Sequence, residues 1–310
     1  MSDAFRGVLF IGDPHLASRV PGFRRDDYGR AVLGKLRWAL DYARDQRLVP
    51  AILGDVFHYP RDNANWLLGE LIGLLAGRGV LTIFGNHDYN DGTLGPDDSF
   101  AVIDASGVWR RVDLVPWRGV IAGREVVVGG TSHGEPIVKS FERPSADALV
   151  LWMTHHDIRV PGYEEAARVN PKDIPGVDLV INGHIHRSLE DVRAGSTVFK
   201  TPGNIARVNR SDASESHVPS VLEVIVRADG VDLRRIPVPH EPFATVFYEV
   251  VADSVPAEGV SSFVTGLAEL QARATSRGEG LIEFLARNTS ELEEPVKSMI
   301  DDLAKEVLGG

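Results

Sequence analysis

The sequence contains no cysteine, which excludes disulfides and thiolate metal sites alike. No apolar run approaches the length needed to span a bilayer, so no membrane association is expected. A signal-peptide pattern is also missing, because the first apolar run, Val8 to Ile11, is short and leads straight into the polar cluster Asp13-Pro14-His15. A cytoplasmic location is the expectation these absences leave. There is no internal repeat and no low-complexity tract. Nor is there an excess of positive charge. The formal charge is −11, and from Ala244 onward twelve acidic and five basic residues contribute −7 of it. The remainder has only local basic spots: Arg24-Arg25, Arg110-Arg111, and the stretch holding Arg187, Arg193, Lys200, Arg207 and Arg210. A globally basic nucleic-acid glove is thereby excluded. A nucleic acid would have to be held through bound cations and those arginines, since phosphate neutralisation dominates such affinity.

What is present suits a soluble globule. The 310 residues are 43% hydrophobic and 25% charged, enough for one large α/β domain and a smaller appendage. The chain opens as strand, helix, strand, helix, strand. Gly7 to Ile11 is a short apolar strand, and Tyr28 to Gln46 carries Val32, Leu33, Leu36, Ala39, Leu40 and Ala43 at helical spacing. Val49 to Leu53 reads as a buried strand, Asn63 to Ala76 as a second helix and Val80 to Phe84 as a third strand. Such βαβ alternation predicts a mainly parallel sheet with helices on its outer face. Further on come a short helix, Pro96 to Ala105, and short strands over Val108 to Leu114, Val120 to Ala122 and Glu125 to Gly129. Ala148 to Thr154 and Val177 to Ile181 are buried-type strands, and two hairpins follow around Ala194-Gly195 and Asp229-Gly230. Pro237, Pro239 and Pro242 mark a boundary, giving domains at residues 1–242 and 243–310. The second is expected to hold one strand, Thr245 to Val250, and three helical stretches, the last amphipathic through Leu292, Val296, Met299, Ile300, Leu303 and Val307.

Five apolar strands end in polar clusters: Asp13/His15, Asp55, Asn86/His87/Asp88, His155/His156 and His184/His186. Ligands of open α/β sheets bind beyond the carboxyl ends of the strands, so the architecture itself gathers these groups. Any one of them alone reads as a turn, but turns favour Asn, Asp, Gly and Ser and not repeated histidine. Carboxylate, imidazole and amide oxygen without thiolate suit Mn, Fe or Zn, and Mg less well. Several imidazoles with few carboxylates favour one carboxylate shared by two ions. Two cations about 3.5–4 Å apart can clamp both ends of an in-line phosphoryl displacement.

In these five blocks the sequence resembles the calcineurin-like metallophosphoesterase superfamily: Asp13-Pro14-His15, Gly54-Asp55, Gly85-Asn86-His87-Asp88, His155 and Gly183-His184-Ile185-His186. The resemblance implies an α/β fold, a four-layer αββα sandwich with a small α+β C-terminal appendage. It assigns Asp13, His15 and His186 to one of two divalent metal ions, Asn86, His155 and His184 to the other, and Asp55 to both, with Mn the expected metal. It makes His87 the non-ligand catalytic residue, oriented by Asp88, since an alkoxide leaving group needs a proton from a positioned imidazole. A spacer beside the ligands is the plainer role for His87. His156 either lines the cleft or caps a loop.

Finer features separate subfamilies. The segment Gly54-Asp55-Val56-Phe57-His58 is unlike the G-D-x-V-D-R-G of protein serine/threonine phosphatases. His58 stands where purple acid phosphatases supply a tyrosine. The same segment looks like that of the SbcD-type recombination and repair nucleases, in which the residue after Phe reaches the substrate phosphate. Thr201-Pro202-Gly203-Asn204 with Arg207 is similar to their P-G-S segment, with Asn204 replacing serine. The resemblance thus implies a DNA exo- or endonuclease, with His58, Arg187 and Arg207 as substrate-binding residues. The basic residues from Arg187 to Arg210 form either a phosphodiester track or a solvated hairpin. It also implies an SbcC-like, SMC-type ATPase partner docking on residues 243–310, and allows a homodimer. The final helix could equally pack on its own domain. Hydrolysis of a small phosphodiester (a cyclic nucleotide or a 2′,3′-cyclic phosphate) or of a phosphomonoester is the alternative.

Overall fold

The structure is a computed structural model, and it describes residues 5–90 and 92–248. Two six-stranded sheets face each other. The first runs β12-β11-β1-β2-β3-β4. Its parallel half is β1 (Gly7–Ile11), β2 (Leu48–Ile52), β3 (Val80–Thr82) and β4 (Trp109–Arg111), and β11 (Ser220–Val226) and β12 (Val231–Pro237) add antiparallel on the β1 side. The second runs β5-β6-β7-β8-β10-β9. Here β6 (Arg124–Thr131), β7 (Leu149–Thr154), β8 (Leu179–Asn182) and β10 (Thr197–Lys200) are parallel. Antiparallel β5 (Trp117–Ile121) and β9 (Val192–Ala194) close its edges. Val8, Phe10, Ala51 and Leu81 from one sheet pack against Val126, Leu151, Met153 and Ile181 from the other, an apolar filling that gives the sandwich its centre.

On the outer face of the first sheet lie α1 (Tyr28–Asp45), α2 (Asn65–Leu75) and α3 (Ser99–Ala105). The α1 stripe of Val32, Leu33, Leu36, Ala39, Leu40 and Ala43 is buried, and Asp27 caps its first turn by accepting from the Arg30 N–H. The outer face of the second sheet is covered differently. Its apolar residues, Val127, Val150, Trp152 and Val180, are buried under Ile137, Phe141, Ile158, Val160 and Ile174, all from the loops 132–148 and 155–178. Among the described residues the cover on this sheet is loop, where the family resemblance implied helix. Pro136, Pro144, Pro161, Pro171 and Pro175 fall through these segments and interrupt any helix there.

Packing continues past Pro242 to Tyr248. The segment expected to begin a strand at Thr245 starts instead within a one-turn helix (Phe243–Val246), followed by a single bridge from Phe247 to Arg24. Arg25 N–H donates to Val246 O at 3.0 Å and Tyr248 N–H to Phe23 O at 2.9 Å, which ties this end to the β1–α1 loop. The rest of that strand and the amphipathic stretches beyond it lie outside the described residues. Among the described residues no helix is long and apolar enough to cross a membrane.

Candidate metal centre

The parallel strands of the two sheets deliver their C-terminal loops to one edge, and pairing continues beyond the strands themselves. His15 N–H donates to Asp55 O (2.9 Å), Leu16 N–H to Val56 O (2.8 Å) and His58 N–H to Leu16 O (2.9 Å), so the loops after β1 and β2 run side by side. Across the sandwich, His133 N–H donates to Phe84 O (3.1 Å) and Phe84 N–H to the Ser132 hydroxyl (3.1 Å). The backbone at this edge is strained. Asp13, His15, Asp55 and His184 all adopt left-handed φ, from 30° to 68°, a region that L side chains with a Cβ rarely enter. Gly54 at φ +90° and Gly85 fill the space between them: a Cβ on Gly85 would run into the Asp55 carboxylate and the His155 ring.

Asp55 sits at the middle. Its Oδ2 lies 3.2 Å from His155 Nε2 and 3.5 Å from His15 Nε2, while its Oδ1 accepts from the His87 backbone N–H at 2.8 Å. On one side of it Asp13, His15 and His186 converge: His15 Nε2 and His186 Nε2 are 2.8 Å apart, and His186 Nε2 is 3.9 Å from Asp13 Oδ2. On the other side are His155, His184 and Asn86, with Asn86 Oδ1 2.8 Å from His184 Nδ1. The seven residues named as candidate ligands are thus brought together in two groups that share Asp55, with Asn86 beside His184.

The donor set fits two cations. Both Asp13 oxygens, His15 Nδ1 and His155 Nε2 are buried without a hydrogen-bond partner, which is costly unless something else satisfies them. His155 is the plainest case. Its Nδ1–H donates to Leu53 O at 2.7 Å, so Nε2 turns a lone pair toward the Asp55 carboxylate, and two acceptors face each other. A cation between them resolves that conflict. In its place a proton can do so. Burial opposes protonation of His155, but the Asp55 charge pushes its pKa up to about 10. Burial also pushes the Asp13 carboxyl up to about 7, against the pull of His155. For Asp55 burial acts upward too, yet the charges of His155 and His87 hold it well below the usual carboxylate range.

The residues around the centre partly depart from expectation. The His87 ring stands edge-on to His15 at 4.9 Å and stacks on His58 at 5.4 Å. Its Nδ1 donates to His58 O at 2.9 Å. Asp88 therefore does not orient His87. Its buried carboxylate accepts instead from Phe57 N–H (3.0 Å) and Gly85 N–H (2.8 Å), stitching the two loops that carry Asp55 and Asn86. His58 lies beside the centre, and burial lowers its pKa to about 4, so its ring is neutral. Of the two roles open to His156, the structure takes loop capping: Nε2–H donates to Glu135 O at 2.8 Å and Nδ1 accepts from His155 N–H.

Arg187 is exposed and donates to Gly162 O at 3.0 Å. Arg207 is not at a substrate surface. It is 7% exposed, and its guanidinium donates to His217 O (2.8 and 3.0 Å) and Glu241 O (3.1 Å). Arg210 is turned over the Phe243 ring, and Lys200 is paired with Asp191. Arg207→Ala would leave two carbonyls short of a donor. It is expected to lower unfolding stability in urea by roughly 1–3 kcal/mol without changing metal content. Unaltered stability in that titration would contradict the buried placement. Sequence reasoning also passed over His133 and Tyr89. The Tyr89 hydroxyl is 2.8 Å from His133 Nδ1, and the His133 ring lies 5.9 Å from that of His184. Burial and the neighbouring His155 lower the His133 pKa to about 4. Neither residue lies in the five blocks, and only its position just after a strand could have flagged His133.

Three solved structures are similar to this chain at low identity. A hypothetical protein from Thermus thermophilus is 12% identical, with 74% of this chain and 99% of that chain covered and a TM-score of 0.40. The sulfate thiohydrolase SoxB of Thermus thermophilus, in complex with glycerol, is 15% identical, covering 89% and 63% with a TM-score of 0.39. A conserved uncharacterized protein of Streptococcus pneumoniae, described as a predicted phosphoesterase, is 11% identical, covering 78% and 94% with a TM-score of 0.34. No curated protein matches the sequence. The sequence pattern of one family does match, over residues 7–188, the stretch that contains every residue of the centre. With its two sheets and its Asp55-centred cluster, the chain belongs to the calcineurin-like phosphoesterase family, a family of dinuclear metal-dependent hydrolases.

Proposed function

We propose that the protein hydrolyses phosphodiester bonds in DNA, with Asp13, His15 and His186 holding one divalent cation, Asn86, His155 and His184 a second, and Asp55 both. Manganese is the proposed ion, since imidazole and carboxylate together suit it better than they suit magnesium. The observation that carries the reading is the pair of rings, His58 and His87, stacked with 15° between their planes beside His15. When bound, the cations supply Lewis-acid stabilisation of charge on the phosphoryl oxygens. The protein's own groups do the rest. His58 O fixes His87 through Nδ1–H, which leaves Nε2 facing outward, where the doubly protonated ring can give its second proton to a departing oxygen. The neutral His58 ring, carried on the segment that resembles the SbcD-type nucleases, suits hydrogen bonding to a phosphate oxygen. Residues 243–310, acidic and therefore repelled by DNA, are proposed as the docking segment for an SMC-type ATPase.

One observation favours a second reading, hydrolysis of a small phosphodiester. With Arg207 buried and Arg210 against Phe243, the described residues assemble no continuous basic border around the centre. Chelated protein assayed with Mn on duplex DNA, single-stranded DNA and bis-p-nitrophenyl phosphate separates the two. Chelation is expected to abolish all hydrolysis and Mn to restore it, on DNA as well as on the small diester. Restoration on the small diester alone would select the second reading. Full activity after exhaustive chelation would remove the metal requirement itself.

A further inference from the structure

One carboxylate outside the expected ligand set touches the centre from behind. Asp157 Oδ1 lies 2.8 Å from His184 Nε2 and accepts from the Tyr163 hydroxyl at 2.8 Å, and Arg168 Nε is 3.8 Å from Oδ2. The carboxylate is itself well placed. Asp157 O accepts from the N–H groups of Arg168 and Val169, both at 2.9 Å, which closes the loop 157–169 at its base, next to the Ile158–Val169 bridge. Tyr163 and Arg168 belong to that same loop. On its other flank, His156 N–H donates to Asn182 Oδ1 at 3.0 Å, fixing the chain immediately before Asp157 to the end of β8.

The consequence lies in which nitrogen of His184 is free. An ionised carboxylate can only accept, so His184 Nε2 carries the hydrogen and Nδ1 keeps its lone pair. That lone pair faces Asn86 Oδ1, another acceptor, at 2.8 Å. Two acceptors this close repel unless a cation or a proton lies between them. We propose that Asp157 is the positioning residue that fixes the tautomer and rotation of His184, so that Nδ1 and Asn86 Oδ1 are presented together to one of the two cations. The proposal rests on the two-cation reading above and adds the determinant of affinity at one site. Partners of this kind typically contribute roughly 10–100-fold to metal affinity.

The test is a calorimetric titration of chelated, full-length protein with Mn(II), with metal content checked by elemental analysis. Wild type is expected to take up two ions. Asp157→Ala is expected to weaken one of the two by roughly 10–100-fold and leave the other unchanged, and Tyr163→Phe to weaken the same one by less. Asp157→Asn, which keeps an acceptor but loses the charge, is expected to fall between wild type and Asp157→Ala. The thermal midpoint of each metal-free variant is measured alongside. Unchanged affinity at both sites in Asp157→Ala would overturn the proposal. So would equal weakening of both sites together with a lowered midpoint of the metal-free protein, the signature of a merely structural role. Uptake of fewer than two ions by wild type would instead bring down the two-cation reading, before Asp157 is at issue.

Discussion

Replacing Asp55 by alanine is expected to empty both halves of the centre at once. Among the described residues no other side chain is shared by the two sets. Its Oδ2 faces His15 Nε2 on one side and His155 Nε2 on the other, at 3.5 and 3.2 Å. Loss of either neighbouring histidine leaves the opposite set intact, whereas loss of Asp55 leaves each set one donor short and without its shared negative charge. Turnover is expected to fall by several kcal/mol of transition-state stabilisation, which at about 1.4 kcal/mol per decade is on the order of 10³–10⁴-fold. Asp55 also accepts the His87 backbone N–H through Oδ1, so the alanine variant frees the loop that carries Asn86 and His87. Asp55→Asn separates these contributions, because its amide oxygen can still accept that N–H while the charge is gone. Elemental analysis after dialysis against Mn and chelator-free buffer reads the outcome. Both variants are expected to retain little metal, with the asparagine form closer to wild type in thermal midpoint. Two ions per chain in Asp55→Ala, with unchanged turnover, would show that this carboxylate is not the bridge.

The centre was legible in the sequence because each ligand follows an apolar run, and the ends of parallel strands meet in space. Asp13, Asp55, His155 and His184 could be placed at one edge before any distance was known, since β1, β2, β7 and β8 carry them there. What lay hidden depends on contacts between segments. Asp88 follows His87 directly, which suggests a pair, yet a side chain next in sequence faces elsewhere, and its carboxylate reaches Phe57 and Gly85. Arg207 looks like any basic residue in a loop, and its burial follows from the positions of His217 and Glu241, which a local pattern does not encode. Asp157 has the composition of an ordinary turn after a strand. Its significance comes from His184, 27 residues further along the chain. The loop layer over the second sheet was written in its prolines, but a resemblance drawn from five short blocks says nothing about what covers the sheet between them.

His87→Asn is expected to leave both cations in place while lowering turnover on a poor leaving group by roughly 10²–10⁴, the usual worth of a positioned acid. The geometry explains why the two effects separate. His87 reaches Asp55 through its backbone N–H, which asparagine keeps, so the bridging carboxylate is undisturbed. The ring itself stands edge-on to His15 and stacks on His58, and its Nδ1 is taken up by His58 O. What is lost is Nε2, the nitrogen left over once Nδ1 donates to His58 O. The His58 carbonyl orients the ring through Nδ1, and the proton to be delivered to the departing oxygen is the one on Nε2. Deoxyribose alkoxide needs that proton and p-nitrophenolate does not. The loss is therefore expected to be large on a DNA or dialkyl phosphodiester and small on bis-p-nitrophenyl phosphate. Restoring the ring in a neighbouring position would not substitute, since His87 is held by both its backbone and its Nδ1. Metal content by elemental analysis, with turnover on both leaving groups, decides the matter. Equal slowing on the two substrates, or loss of an ion, would move His87 out of the acid role and into support of the ligands.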